Sequence, residues 1–105
     1  MVTHQQLLTV LSRHIGRIEG ITAKRLAFLL LCTERQVRAL VSEARESGHA
    51  VCGTPRDGYY IAANAAELEE TCAFLRNRAI HSLTIESRLR KTPLVELLGQ
   101  LNLNT

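Results

Sequence analysis

A chain of 105 residues, 46% hydrophobic and without Trp, has room for one ordinary domain, or for a small domain with an appended helix, and its core must come from Leu, Ile, Val and Ala. No apolar run approaches the roughly 20 residues of a membrane span, and the start lacks the basic, apolar, small-residue order of a signal peptide, so a cytoplasmic protein is expected. The net charge of +3 is uneven: residues 1–62 carry eight Lys/Arg against five Asp/Glu, residues 63–105 carry five of each, and eleven of the thirteen bases are Arg, the side chain suited to bidentate contact with phosphate and guanine.

Thr3 followed by Gln6 is a capping box, and Leu7, Leu8, Leu11 and Ile15 recur behind it at helical spacing. Gly16 and Gly20 bracket a loop holding Arg17 and Glu19. Thr22 is the next N-cap, ahead of a short helix through Leu30. Leu31 and Cys32 make a turn. Thr33 and Gln36 form a second capping box and open a third helix, whose Val37, Leu40, Val41 and Ala44 give one apolar stripe. Gly48 ends it.

The period then changes. Ala50–Gly53 and Tyr59–Ile61 read as two short strands, joined by the turn cluster Thr54-Pro55-Arg56-Asp57-Gly58, so the segment is a β-hairpin. Asn64 and Glu67 cap a long helix reaching about Arg90, acidic at its start (Glu67, Glu69, Glu70) and basic at its end (Arg88, Arg90, Lys91), as the macrodipole favours. Thr92-Pro93 stops it and starts a short Leu-rich helix. Asn102 to Thr105 are expected to fray.

The expected fold is mainly α with a small β-hairpin: a winged helix-turn-helix over residues 1–62, and a long C-terminal helix with a short one over residues 63–105. Ala27 is small where the third helix crosses the second. Val37 and Leu40 lie ten and thirteen residues on, where that crossing needs apolar side chains. Residues 5–62 resemble the winged helix-turn-helix at the N-terminus of bacterial biotin-ligase repressors and related small phage or prophage regulators. The stretch that carries the resemblance runs from Gly48 to Ile61: a helix-ending Gly, a Val strand, then Pro55-x-x-Gly58-Tyr59-x-Ile61. It departs from such families at Leu31, where Gly is usual, and a non-Gly residue in a left-handed turn costs roughly 1 kcal/mol.

The reading implies double-stranded DNA as the partner, with the third helix entering the major groove. Arg35 or Arg38 suits guanine, and Gln36 suits adenine unless it serves only as the partner of Thr33 in the capping box. Ser42 and Arg45 complete the exposed face, and Glu34 suits a cytosine amino group or is simply solvated. Thr22, Lys24, Arg25 and Thr33 sit at helix starts that favour phosphate, and Arg56 sits at the wing tip. For each base the bland alternative is a solvated charge.

Neither the four histidines nor Cys32, Cys52 and Cys72 have metal-ligand spacing. The cysteines read as small buried hydrophobes. No metal, no cofactor and no enzymatic activity are expected. Leu68, Cys72 and Leu75 are expected to pack on the winged-helix domain. Residues 76–101 are expected to form a homodimer interface through a seam of Leu75, Ala79, Ser82, Ile85 and Leu89, with Leu94, Leu97, Leu98 and Leu101 from the last helix. The function expected is a sequence-specific, dimeric transcriptional regulator. The alternatives are a phage-type replication or recombination accessory, and a protein-interaction module docking a partner through the Leu-rich tail.

Overall fold

The computed structural model describes residues 1–101, so Asn102–Thr105 and the fraying expected there lie outside the described residues. The order is α1 (His4–Leu11), a 3-10 turn (Arg17–Glu19), α2 (Ala23–Leu30), α3 (Glu34–Glu46), β1 (Val51–Thr54), β2 (Gly58–Ile61), α4 (Ala65–Arg90) and α5 (Leu94–Gln100). This is the expected mainly helical fold with one hairpin and a long C-terminal helix. The chain divides into two compact units, Met1–Thr71 and Cys72–Thr105.

In the first unit each helix start is set by a threonine. Thr3 and Thr33 form complete capping boxes with Gln6 and Gln36. Thr22 Oγ1 accepts the Arg25 N–H at 3.1 Å. Such caps each stabilise a helix by about 1 kcal/mol. α3 packs against both α1 and α2. Its Val37, Leu40, Val41 and Ala44 are buried together with Leu7, Leu11, Ile21, Leu26 and Val51. Each fully buried Leu or Val contributes about 1.5–3 kcal/mol to this core. Ala27 is half-buried against the same cluster, as a close helix crossing requires.

α1 is shorter than its apolar spacing suggests. It ends at Leu11, and Ile15 instead forms a parallel bridge to Ile61. Gly16 N–H donates to Ile61 O and Ile61 N–H to His14 O, both at 2.8 Å. Further along, Ile21 and Tyr59 exchange a pair of backbone hydrogen bonds at 2.9 and 2.7 Å. The segment from His14 to Ile21 therefore satisfies the outer edge of β2, which a two-stranded hairpin would leave open.

The hairpin pairs Val51 with Ile61 and Thr54 with Gly58, a one-residue shift from the expected strand bounds. Gly58 has φ +78°, and a Cβ there would run into the backbone of Ile21 and Thr22. The position therefore requires glycine twice over, for its dihedral and for its space. Val51 faces the helical core. Cys52 and Tyr60, paired on the other face, are equally buried. Cys52 Sγ lies 3.7 Å from Glu67 O, so the first turn of α4 covers that face. This is why the first unit runs to Thr71 instead of stopping at residue 62.

Three helices end in the same way, with a left-handed residue one or two positions past the end and two backbone N–H groups turned back onto the last turn. After α3 this residue is Gly48. After α2 it is Leu31 (φ 54°, ψ 49°) and after α4 it is Lys91 (φ 56°). The turn after α2 therefore keeps the geometry that favours glycine while carrying a leucine.

In the second unit the exposed apolar side chains outnumber the buried ones. Ser87 and Leu97 are buried among its described residues, whereas Phe74, Leu75, Ile85 and Leu89 are exposed. Cys72 is exposed as well. In the first unit Leu68 is exposed too, so its expected packing on the winged-helix part is not met. Among the described residues no helix is long and apolar enough to cross a membrane.

Candidate nucleic-acid interface

The candidate surface is the outer face of α3. Four buried residues at helical spacing fix which way this helix turns, so Arg35, Arg38, Ala39 and Ser42 must face out, and all four are exposed. They form one strip three to four residues apart along the helix. Glu34 is exposed beside them, 4.0 Å from Arg38 across one helical turn. That pair is surface-exposed and weak, so Arg38 is held loosely.

Two residues assigned to this face already have structural partners. Arg45 is half-buried, and its Nε donates to Val51 O at 2.7 Å, tying the end of α3 to β1. Gln36 Oε1 accepts the Thr33 N–H at 2.8 Å, and Thr33 Oγ1 accepts the Gln36 N–H at 3.0 Å. A bidentate contact with adenine needs both the oxygen and the amide nitrogen of Gln36. It would therefore require opening the cap, and the structural role accounts for this residue.

Elsewhere in the first unit, Lys24 and Arg25 are exposed in the first turn of α2, and Arg56 is exposed in the hairpin turn. Thr22 and Thr33 use their oxygens to cap helices, which leaves each hydroxyl hydrogen free to donate to a phosphate oxygen. The hairpin turn is braced from within. Asp57 N–H donates to Thr54 Oγ1 at 2.9 Å, and that hydroxyl donates to Asp57 Oδ2 at 3.0 Å.

A second charged cluster holds the hairpin, the 3-10 turn and the start of α4 together. Glu67 Oε2 accepts the Arg17 N–H at 3.0 Å and Glu67 Oε1 accepts the Ala63 N–H at 2.9 Å. These bonds from Ala63 and Arg17 hold the Glu67 carboxyl below its ordinary range. The Glu67 N–H donates to Asn64 Oδ1 at 2.9 Å, so Asn64 caps the helix as expected, while the Glu67 carboxylate reaches past it to Ala63 and Arg17. The Arg17 guanidinium pairs with Glu70. Its Nε is enclosed without a hydrogen-bond partner, 3.8 Å from Asp57 Oδ2, so that attraction is coulombic. The Tyr60 hydroxyl, then the carboxylates, raise the Arg17 pKa against the opposing effect of desolvation. Nothing in the sequence spacing announces this cluster, because Arg17 lies fifty residues or more from its partners Glu67 and Glu70.

The cysteines fall into three different settings: Cys52 buried, Cys32 half-buried and Cys72 exposed. The reading of all three as core residues holds for Cys52 alone. His4 and His49, remote in sequence, have ring centroids 6.4 Å apart, and His4 Nδ1 lies 3.4 Å from Glu43 Oε2. Among the described residues no group of three His, Cys, Asp or Glu is placed to hold a metal ion.

In the C-terminal set the structure separates the candidates. Leu75, Ala79, Ser82, Ile85, Leu89 and Leu101 are exposed, and Leu94 and Leu98 are half-buried. Leu97 is 2% exposed within a single chain and is therefore already covered, which removes it from any interface with a partner. No protein-family model, curated protein or solved structure matches this chain.

Proposed function

We propose that the protein binds double-stranded DNA sequence-specifically, with α3 as the reading helix and the hairpin as the wing, and that it acts as a homodimeric regulator of transcription. The observation that carries this reading is the division of α3 into a fully buried stripe and an opposite strip bearing Arg35, Arg38 and Ser42. A helix held from behind by two others, with a threonine cap at its leading end, offers the geometry that enters a major groove. Lys24, Arg25, Thr22 and Arg56 supply positioning contacts to phosphate, which orient the helix without reading sequence. The resemblance of residues 5–62 to the biotin-ligase repressor wing supports the same assignment. A role in replication or recombination would use the same groove contacts.

The test is fluorescence anisotropy with a random-sequence duplex pool at two salt concentrations, followed by sequencing of the bound fraction. Enrichment of an inverted repeat with half-sites one helical turn apart, and affinity falling with salt, are the expected results. Arg35→Ala and Arg38→Ala should each weaken binding by about 1–3 kcal/mol, or tenfold to a hundredfold. Absence of binding at low salt would overturn the assignment.

A second reading, a protein-interaction module, is favoured by one observation. Phe28 is 73% exposed and Leu31 91% exposed on α2 and its closing turn, away from any core. Partner binding through these residues would survive loss of Arg35 and Arg38.

A further inference from the structure

Leu31 is strained and yet left uncovered. It holds a left-handed conformation at the end of α2, where glycine is favoured, and its side chain stands almost wholly in solvent. Strain kept at a residue that adds nothing to the core points to a contact made elsewhere. Leu31 lines an open groove of about 360 Å³ together with Val2, Leu30 and Cys32. Phe28 stands exposed one turn earlier on α2. Exposed apolar side chains gathered in this way mark an interaction surface.

We propose that this surface docks an acidic segment of a partner protein, one that sets Asp or Glu beside large apolar side chains. The proposal rests on the protein-interaction reading above and names the chemistry of the partner. It does not depend on recognition of DNA by α3.

Charge and hydrogen-bonding capacity select this partner. Lys24 and Arg25 lie four and three residues before Phe28, the two spacings that bring helix side chains together, and both are exposed. Phe28 is thus flanked by two cations. Arg35 is exposed beside Gln36 at the start of α3. From Gly20 to Ser42 the chain holds four bases and one acid, Glu34, and Glu34 lies across one helical turn from Arg38.

The groove itself offers donors. Gln6 and Gln36 both line it, and the Oε1 of each accepts a backbone N–H of its own helix cap at 2.8 Å. The group left to a ligand on each is the amide nitrogen, which only donates. A partner must therefore bring acceptors around an apolar anchor, and carboxylates make the strongest ones. Phosphate alone would satisfy the bases and leave Phe28 and Leu31 unused.

The test pans a displayed library of random, cysteine-free peptides against the full chain carrying Cys72→Ser. Cys52 is buried, so alkylation by iodoacetamide then reads Cys32 in the groove. Enriched peptides should pair Asp or Glu with Phe, Leu or Ile. Their synthetic forms should slow alkylation of Cys32 and bind more weakly as salt rises. Affinity should fall about tenfold or more in Phe28→Ala and in Leu31→Gly. The glycine variant keeps the backbone bonds of the turn, and its thermal midpoint separates lost contact from lost fold. Replacing each Asp and Glu of a peptide with Asn and Gln should weaken binding as well.

Enrichment of no peptide, or of peptides without acids, overturns the proposal. So do peptides that bind Phe28→Ala and Leu31→Gly as tightly as the parent, or that leave Cys32 open to alkylation. A random-sequence duplex that protects Cys32 as the peptides do would assign the surface to DNA and overturn it too. The anisotropy measurement with Arg35→Ala and Arg38→Ala reads DNA recognition separately, and its failure leaves these outcomes unchanged.

Discussion

Replacing Leu31 with glycine should make the protein more stable, although it deletes a large apolar side chain. Leu31 closes α2 in the left-handed region. Its own N–H reaches Phe28 O at 3.4 Å, and the Cys32 N–H reaches Ala27 O at 3.0 Å. Those bonds belong to the backbone and survive the substitution. The side chain is 91% exposed, so its removal forfeits almost no burial. A Cβ in this conformation costs about 1–2 kcal/mol. Glycine gives back about 0.4–1 kcal/mol through the greater freedom of its unfolded chain. The net gain is about 0.5–1 kcal/mol. For a domain of this size that raises the thermal midpoint by about 2–8 °C.

The assay is thermal and urea unfolding of Leu31→Gly beside Leu31→Ala. Alanine removes the same exposed side chain but keeps the strained Cβ, so it should stay within about 0.5 kcal/mol of the parent chain. A glycine variant no more stable than the alanine variant would refute the reasoning, because the strain would then be absent or relieved elsewhere.

Two further outcomes follow from the hydrogen bonds. Arg45→Ala should lower stability by about 1–2 kcal/mol in urea unfolding, because it breaks the charged bond to Val51 O. It should weaken DNA binding less than Arg38→Ala does in anisotropy titration. For Glu67, the folded-state carboxyl lies below its ordinary value of 4.5 because two N–H groups bond its ionised form. Its contribution is therefore fully present above the unfolded value and is lost as pH falls through the folded one. Thermal midpoints measured downward from neutral pH should fall more steeply below pH 4.5 in the parent chain than in Glu67→Gln, and parallel curves would show that the carboxylate is uncoupled from folding.

Much of this architecture was legible because its signals are local. Thr3, Thr22 and Thr33 sit where caps must sit, and the stripe Val37, Leu40, Val41, Ala44 fixes the orientation of α3 by spacing alone. Gly48 and Gly58 mark turns that only their dihedrals explain. What sequence could not give was which of two valid partners a residue takes. Ile15 has helical spacing behind Leu11, yet pairing with Ile61 satisfies a strand edge that helix formation would leave bare. Arg45 lies on the outward side by periodicity, but its long stem reaches the carbonyl of Val51 once the hairpin folds back. Leu97 and Leu101 share a pattern and differ in burial, which only tertiary packing decides.

Glu67 has a consequence for how this protein can be divided. Its carboxylate binds the amide of Arg17, fifty residues earlier in the chain, and its own turn roofs the Cys52 side of the hairpin. The smallest piece that could be inherited, transplanted or expressed as a self-sufficient module therefore extends past the last strand into the helix that follows, to about Thr71. A junction at residue 62, where the hairpin visually ends, would leave the wing without the residues that roof and brace it. Exchange of C-terminal helices between proteins of this build would succeed only where the donor helix brings its own acid three residues beyond its N-cap.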